Sequence, residues 1–365
     1  MSRPCVMIMA GGTGGHVFPA LSLAAWLRSR NFEVVWLGTR VGIEARLVPA
    51  VGIEVEWIDI GGLRGKGFRT LLTAPLRLLR ALGQALAAVR RHQPRVVVGL
   101  GGYVTGPGGL AAWLSRRPLV IHEQNAIAGL TNRSLAKIST RVLEAFAGSF
   151  GASVKATEVG NPVRADFFAL ATPVTRYNAR SGPLQLLVVG GSQGAQRLNG
   201  VVPAALAQLA AGTVRVRHQT GSRTLEITRQ AYQSKGIEAE VSAFIDDIAA
   251  AYGAADLVIC RAGALTVSEI AAAGVASILV PFPAAVDDHQ TRNAQFLVAQ
   301  GAAILLPERE LTAEKLAAEL VRFTADRKPL LTMAEAARRL ARPEATAELG
   351  AACLAAGDLA LEIAA

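Results

Sequence analysis

The feature that most constrains this chain is a pattern that occurs twice. An apolar run, Cys5 to Ala10, ends in Gly11-Gly12-Thr13-Gly14-Gly15-His16 and passes into a helical periodicity from about Val17 to Arg30. A second run, Leu184 to Val189, ends in Gly190-Gly191-Ser192-Gln193-Gly194-Ala195 and passes into another helix beginning near Gln196. A short buried strand, a glycine turn and a helix open a parallel-sheet unit whose crossover helices cover both faces. Strand candidates at Val34–Leu37, Val55–Ile58, Arg95–Val98 and Leu119–His122 continue the first cycle. Val214–His218, Ala239–Val241, Asp256–Ile259, Ser277–Val280 and Ala302–Leu305 continue the second. The chain has 365 residues, enough for two such units. The polar, Pro/Gly-containing interval from Gly160-Asn161-Pro162-Val163-Arg164 to Pro183 reads as their connection. Two doubly wound α/β domains are the simplest architecture, with one larger α/β domain as the alternative.

Composition removes several other classes. Hydrophobic residues make up 51% and charged residues 18% of the chain, so it can bury enough apolar surface to offset its ordering entropy. Cys5, Cys260 and Cys353 are too far apart for a metal-ligand pair or a disulfide framework, which favours a reducing compartment. The uncharged stretch Val96–Ser115 holds six glycines and a proline, and reads as strand, loop and helix rather than a membrane span. From Ile60 to His122 there is no acid, whereas ten Arg and Lys residues fall there, matching the formal net charge of +10. Such a concentration attracts anionic lipid, nucleic acid or an anionic substrate. No aromatic-rich RNA platform accompanies it, so no nucleic-acid partner is expected.

The two glycine loops are the first candidates for chemistry. Missing Cβ atoms permit a tight turn and close ligand approach, and helix N-terminal N–H groups receive anions. Thr13, Gly14, Gly15, Gly191 and Ser192 are therefore candidate phosphate contacts, with a purely structural turn as the competing reading. Neither loop is a Rossmann Gly-x-Gly-x-x-Gly in register or a Walker A loop, which weakens NAD and ATP. Arg261-Ala262-Gly263-Ala264-Leu265-Thr266-Val267-Ser268-Glu269 follows another strand. Its small residues allow backbone contact, and Glu269 has the acceptors for a ribose diol. The competing reading is a capped helix with a solvent-facing Glu269. Pro281-Phe282-Pro283 leads to Asp287-Asp288-His289-Gln290, where Gln290 offers donor and acceptor to sugar hydroxyls and the acids either begin a helix or take part.

Taken in order, GGTGGH, HEQNAIAGLTN at His122–Asn132, GNPVR, GGSQGA, RAGALTVSE and DHQTRNA at Asp288–Ala294 resemble the bacterial cell-wall glycosyltransferases of the MurG family. These are the UDP-N-acetylglucosamine:N-acetylmuramyl-(pentapeptide) pyrophosphoryl-undecaprenol N-acetylglucosaminyltransferases that make lipid II. The resemblance implies a GT-B fold, two Rossmann-like domains facing an interdomain cleft. Residues 1–165 would be the acceptor and membrane-associating domain, 166–342 the UDP-sugar domain, and 343–365 a helix returning to the first. It implies Phe244 and Ile245 beside uracil; Ala264, Leu265, Thr266, Val267, Ser268 and Glu269 around ribose and phosphate; and Asn125 and Gln290 facing N-acetylglucosamine. Ser192, Arg164 and the backbone of Thr13 to Gly15 would assist donor binding or stabilise the leaving pyrophosphate. His289 departs from the Gln of some members.

The implied reaction is inverting transfer of N-acetylglucosamine from UDP-N-acetylglucosamine to the C4 hydroxyl of undecaprenyl-pyrophosphoryl-N-acetylmuramyl-pentapeptide, in peptidoglycan synthesis. One displacement needs a base on the acceptor side and charge stabilisation on the UDP side. His16 is the leading base, and Glu123 either orients it, binds acceptor or replaces it, with a structural hydrogen-bonding role as the competing reading. Arg164 would take part of the UDP charge, so no obligatory cofactor or metal is expected. The resemblance also implies a peripheral location on the cytoplasmic face of the inner membrane, with other cell-wall synthesis proteins as further partners. A helix starting near Thr73-Ala74-Pro75 presents Leu78, Leu79, Leu82, Leu86 and Val89 on one face and Arg77, Arg80 and Arg91 on another. That arrangement fits contact with anionic lipid, the alternative being an ordinary crossover helix. Other UDP-sugar enzymes, including a glycolipid transferase or an epimerase, and a noncatalytic sugar-nucleotide sensor are the competing functions.

Overall fold

The computed structural model describes residues 3–61, 68–191, 195–285 and 288–359, the side chains of 68–72 excepted. The chain divides into two compact units, Met1–Val163 with Glu344–Ala365, and Arg164–Pro343.

In the first unit the elements run β1 (Cys5–Met9), α1 (Gly14–Arg28), β2 (Glu33–Gly38), α2 (Glu44–Ala50), β3 (Glu54–Trp57), α3 (Phe68–His92), β4 (Val96–Gly99), α4 (Thr105–Leu114), β5 (Leu119–Glu123), α5 (Leu130–Leu135), β6 (Arg141–Glu144) and β7 (Thr157–Glu158). The strands form a parallel sheet of order β3-β2-β1-β4-β5-β6-β7. β1, β2, β4 and β5 are buried almost throughout, which is why they read as continuous Val/Ile/Leu runs. One apolar layer, with Val17, Leu23 and Leu27 of α1, covers one side of the sheet. A second, with Ala81, Ala85 and Ala88 of α3, covers the other.

The second unit runs α6 (Ala165–Phe168), α7 (Pro173–Asn178), β8 (Leu184–Val189), α8 (Gln196–Leu206), β9 (Val214–Gln219), α9 (Leu225–Gln233), β10 (Ala239–Ser242), α10 (Ile248–Ala254), β11 (Leu257–Cys260), α11 (Ala264–Ala273), β12 (Ala276–Leu279), α12 (His289–Val298), β13 (Ile304–Leu305), α13 (Ala313–Ala325) and α14 (Lys328–Arg339). Its sheet order is β10-β9-β8-β11-β12-β13, the same winding as the first. The final helix, α15 (Ala345–Ala356), belongs to the first unit. Leu349, Cys353 and Leu354 enter its core beside α1, and a Cβ at Gly350 would overlap the Trp26 ring.

Three local expectations change. Helix α1 begins at Gly14, not near Val17, so Gly14, Gly15 and His16 form its first turn. Helix α3 begins before Pro75 and carries it internally. Arg164 and Ala165 fall in the second unit. Arg164 is the N-cap of α6, with its guanidinium 5.4 Å from the Phe167 ring centre, and Phe167 packs edge-on against Tyr252. Strands β6 and β7 were not anticipated. They are short, and β6 begins with a charged residue, so neither leaves an apolar run to read. The cysteines are all free and buried.

Candidate functional site

In each sheet the winding reverses beside the first strand. β1 lies between β2 and β4, and β8 between β9 and β11. Crossovers leave on opposite faces at such a point, so the loops after the two central strands flank a crevice at the strands' carboxyl ends. The glycine loops identified in the sequence stand at these two places.

In the first unit, the turn after β1 is held by a residue that no motif or periodicity marks. Glu44 of α2 is wholly buried and accepts hydrogen bonds from Gly12 N (2.9 Å), Thr39 N (3.1 Å) and Thr39 Oγ1 (2.7 Å). Gly12 takes a φ of +93°, which favours glycine. The turn delivers Thr13 as the exposed N-cap of α1, with no acid in the helix's first turn. That N-terminus is electrostatically ready for an anion. His16, in that first turn, is half-buried. Its Nδ1 lies 2.9 Å from Gln124 Oε1, at the end of β5. The loop after β4 makes room for this ring: Gly101 has φ +101°, and a Cβ there would overlap His16 Nδ1.

Glu123 has a different place from the one expected of a base. It is buried, and its Oε1 accepts from Asn125 N (3.0 Å) and Asn125 Nδ2 (3.2 Å), while Oε2 accepts from Asn132 Nδ2 (2.8 Å) and Gly129 N (3.1 Å). Four donors use both oxygens to fold the Asn125–Gly129 loop. A carboxylate so occupied holds Asn125 in position; it is not poised to receive a substrate proton.

The second unit repeats the layout with other chemistry. Gly191 has φ +79° and is clamped by Gln219 of β9, whose Oε1 accepts from Gly191 N (2.9 Å) and whose Nε2 donates to Gly191 O (3.2 Å). Ser192 lies outside the described residues. Across the reversal point, α11 starts at Ala264 behind Gly263. Small residues at the first turn leave its N–H groups approachable. Ala264 and Leu265 are buried, Thr266 is half-buried, and Ser268 Oγ donates to Ala264 O (3.0 Å). Val267 is a correction: it is wholly buried and its N–H donates to Gly263 O, so it supplies packing and offers a ligand nothing.

Glu269 stands apart from the other acids. Burial pushes its carboxyl up to about 7, against the pull of the Arg164 guanidinium. Among the described residues no donor is bonded to it. Phe244 is 61% exposed while its neighbour Ile245 is buried, which leaves an aromatic face uncovered beside an anchored side chain. Asp288 caps α12 in a left-handed conformation and accepts from Thr291 Oγ1 (2.7 Å), so this acid takes the helix-starting role. His289 and Gln290 are half-buried on the first turn. Gln290 Oε1 accepts from Phe282 N (2.9 Å), which ties the Pro281–Pro283 loop to α12 and turns the amide's NH₂ end away from that bond.

The same two halves are found in known proteins. Residues 6–144 match the glycosyltransferase family 28 N-terminal domain and 185–349 its C-terminal domain. The UDP-N-acetylglucosamine--N-acetylmuramyl-(pentapeptide) pyrophosphoryl-undecaprenol N-acetylglucosamine transferase of Nitrosococcus oceani is 57% identical over 96% of this chain and 98% of its own length. The protein of that name from Marinobacter nauticus is 57% identical over 96% and 97%. The crystal structure of Acinetobacter baumannii MurG superposes with a TM-score of 0.83 at 41% identity, covering 97% of this chain and all of that one. The chain belongs to glycosyltransferase family 28 and, within it, to the MurG family.

Its architecture is accordingly GT-B, built from two Rossmann-like units. The basic, leucine-bearing segment of this family 28 chain is resolved into two halves. In α3 no described side chain from Thr73 to Arg80 is buried, and Leu76, Leu78 and Leu79 stand 72%, 41% and 65% exposed. From Ala81 onward the helix lies on the sheet, and Leu82 and Leu86 pack against the core with buried Val89. Leu82 is therefore a core contact, contrary to the membrane-facing role expected of it. Arg80 pairs with Asp59 at 2.9 Å and Arg91 with Glu56 at 2.6 Å, so acids just before the acid-free stretch take up part of its charge; Arg77 remains exposed. Helix α4, which packs beside α3, exposes Trp113 and Leu114, two residues with no signal in the helical pattern. Glu54, Glu56 and His92 bring ligand-type atoms within 4.8 Å of one another, but the Arg91 bond makes this an ion-pair network. Among the described residues no helix is long and apolar enough to cross a membrane.

Proposed function

We infer that this chain transfers N-acetylglucosamine from UDP-N-acetylglucosamine to lipid I, the undecaprenyl-pyrophosphoryl-N-acetylmuramyl-pentapeptide, in peptidoglycan synthesis. The observation that carries the reading is the 57% identity to transferases of that activity across nearly the whole length of both proteins. The chemistry is one inverting displacement. The acceptor C4 hydroxyl attacks C1 of the sugar, the C1–O bond to UDP breaks, the new bond is β1,4, and the hydroxyl proton passes to a base.

His16 is that base, because it projects from a helix start at the reversal point of its sheet while Glu123 is consumed by its own loop. Glu269 accepts the ribose hydroxyls, and Phe244 and Ile245 flank the uracil. The N-terminus of α11, the Gly191 turn and Arg164 take the negative charge that grows on the leaving UDP. Asn125, His289 and Gln290 recognise the sugar. The permanent charge of Arg164 and the N-terminus of α11 would supply the charge stabilisation, so this reading includes no resident metal. The exposed leucines of α3 with Trp113 and Leu114 of α4 rest on the anionic lipid that holds the acceptor, on the cytoplasmic face of the membrane.

The test is direct. The protein is incubated with UDP-N-acetylglucosamine and lipid I, and the product is read by mass spectrometry with linkage analysis. UDP and a β1,4-linked disaccharide are expected; efficient use of another glycolipid while lipid I stays unreacted would overturn the assignment.

A further inference from the structure

The first unit contains a short chain of hydrogen bonds whose polarity is fixed at both ends by backbone carbonyls. Gln124 Nε2 lies 3.2 Å from His122 O, an atom that only accepts, so this end of the amide is the NH₂ and the opposite end is the oxygen. The same NH₂ lies 3.0 Å from His122 Nδ1, which must then be bare. With Nδ1 bare, a neutral His122 carries its hydrogen on Nε2, and Nε2 lies 2.9 Å from Gly160 O, another pure acceptor. Both ends agree. The amide oxygen that remains faces His16 Nδ1 at 2.9 Å, and an amide oxygen can only accept. His16 therefore holds its hydrogen on Nδ1, which leaves Nε2 with the lone pair.

The environment supports each link. His122 is wholly buried, and burial lowers its pKa to about 4, outweighing the Gly160 bond and the Glu123 charge, so it stays neutral. Gln124 is also buried, and Asn161 Nδ2 donates to its backbone carbonyl at 3.1 Å, fixing the strand end from which the amide projects. Gly101 keeps the path between Gln124 and the imidazole open, because any Cβ would occupy the Nδ1 side of the ring. The proposed function assigned no part of the reaction to either Gln124 or His122.

We propose that Gln124, aimed by His122 against the Gly160 carbonyl, is a positioning residue that locks His16 in the Nδ1–H tautomer and so presents Nε2 as the proton-accepting atom. The proposal rests on His16 being the base. Without this clamp the ring would rotate or exchange tautomers, and a fraction of molecules would direct an N–H at the acceptor hydroxyl. Such a molecule cannot remove the proton.

The tautomer is measurable without turnover. The chain has 5 histidines, so ¹⁵N-histidine labelling of the full protein gives a spectrum in which His16 and His122 are assigned by loss in single variants. At pH 8 long-range ¹⁵N–¹H correlations should show opposite tautomers in the two rings: Nδ1–H in His16 and Nε2–H in His122. An Nε2–H or averaged signature for His16 in the wild-type protein would overturn the proposal with no variant needed.

Gln124→Leu removes the acceptor. In folded protein it should release His16 to an averaged tautomer and slow single-turnover transfer by between about tenfold and 10⁴-fold, with UDP-N-acetylglucosamine affinity nearly unchanged. If folded Gln124→Leu keeps both the tautomer and the rate, the clamp is wrong. If the tautomers are as stated but lipid I yields no disaccharide, the functional assignment fails and the clamp stands.

Discussion

Both units have paired glycines after the first strand at the reversal point of a parallel sheet, each clamped by a distant side chain, Glu44 on Gly12 and Gln219 on Gly191. The difference lies in the other polar groups nearby. In the first unit they are spent on one another. Glu123 holds the Asn125–Gly129 segment, and Gln124 links His122 to His16. In the second unit Glu269 carries no bonded donor among the described residues, its carboxyl is pushed up to about 7, and Phe244 stands exposed. The contrast separates two tasks. A proton-accepting atom must be held in one orientation before substrate arrives, whereas a binding group gains affinity by leaving hydrogen bonds for the ligand to make.

The largest effect should come from breaking the arranged side. His16→Ala should lower single-turnover transfer by about 10²- to 10⁴-fold while the dissociation constant for UDP-N-acetylglucosamine, read by calorimetry, moves little. An equal loss in both would make His16 a donor-site residue and erase the contrast.

The glycines sharpen it next. Gly101→Ala combines positive φ with overlap on the His16 ring and should cost about 2–4 kcal/mol with loss of transfer. Gly191→Ala meets nothing within 4 Å among the described residues and should cost about 1 kcal/mol of backbone strain. Thermal unfolding of the two variants side by side gives the comparison.

On the unspent side, Glu269→Gln should weaken UDP binding by about 10- to 100-fold at pH 8, since hydrogen bonds to a charged acceptor are each worth about 1.5–3 kcal/mol. Its pH dependence has a definite sign. The folded pKa lies above the ordinary carboxyl value of 4.5, so the native state holds the proton that the unfolded chain releases, and the wild type loses stability as pH rises from about 4.5 through about 7. Glu269→Gln should therefore melt higher than wild type at pH 8, and the gap should close as the pH falls to 4.5. A constant gap would mean the carboxyl is not desolvated.

The smallest effect concerns the surface of α3. Arg77→Gln should weaken binding to anionic vesicles by roughly 1 kcal/mol at low salt, an effect that shrinks as ionic strength rises. Leu76→Ser with Leu79→Ser should weaken the salt-resistant part without lowering the melting temperature, because both side chains are already exposed. Unchanged partitioning would move the lipid-contact surface elsewhere.

The sequence determined the two parallel-sheet units and the glycine turns by itself. Buried strands write themselves as apolar runs, and a turn that needs positive φ writes itself as glycine. His16, Glu269 and Gln290 could be singled out as candidates, since glycines precede α1 and α11 and a Pro-Phe-Pro loop precedes α12. What only tertiary structure decided was which polar groups are already satisfied. Glu44 comes from a helix 32 residues beyond Gly12, and Gln219 from a strand 28 residues beyond Gly191. Glu123 at the end of β5 and Glu269 inside α11 are the same residue type, but one meets four donors and the other none among the described residues. Leu79 and Leu82 share a helical stripe, and only the position of the sheet beneath α3 packs Leu82 against the core and leaves Leu79 exposed. Hydrogen-bond saturation and burial depend on neighbours brought from distant segments, and a local pattern carries no record of them.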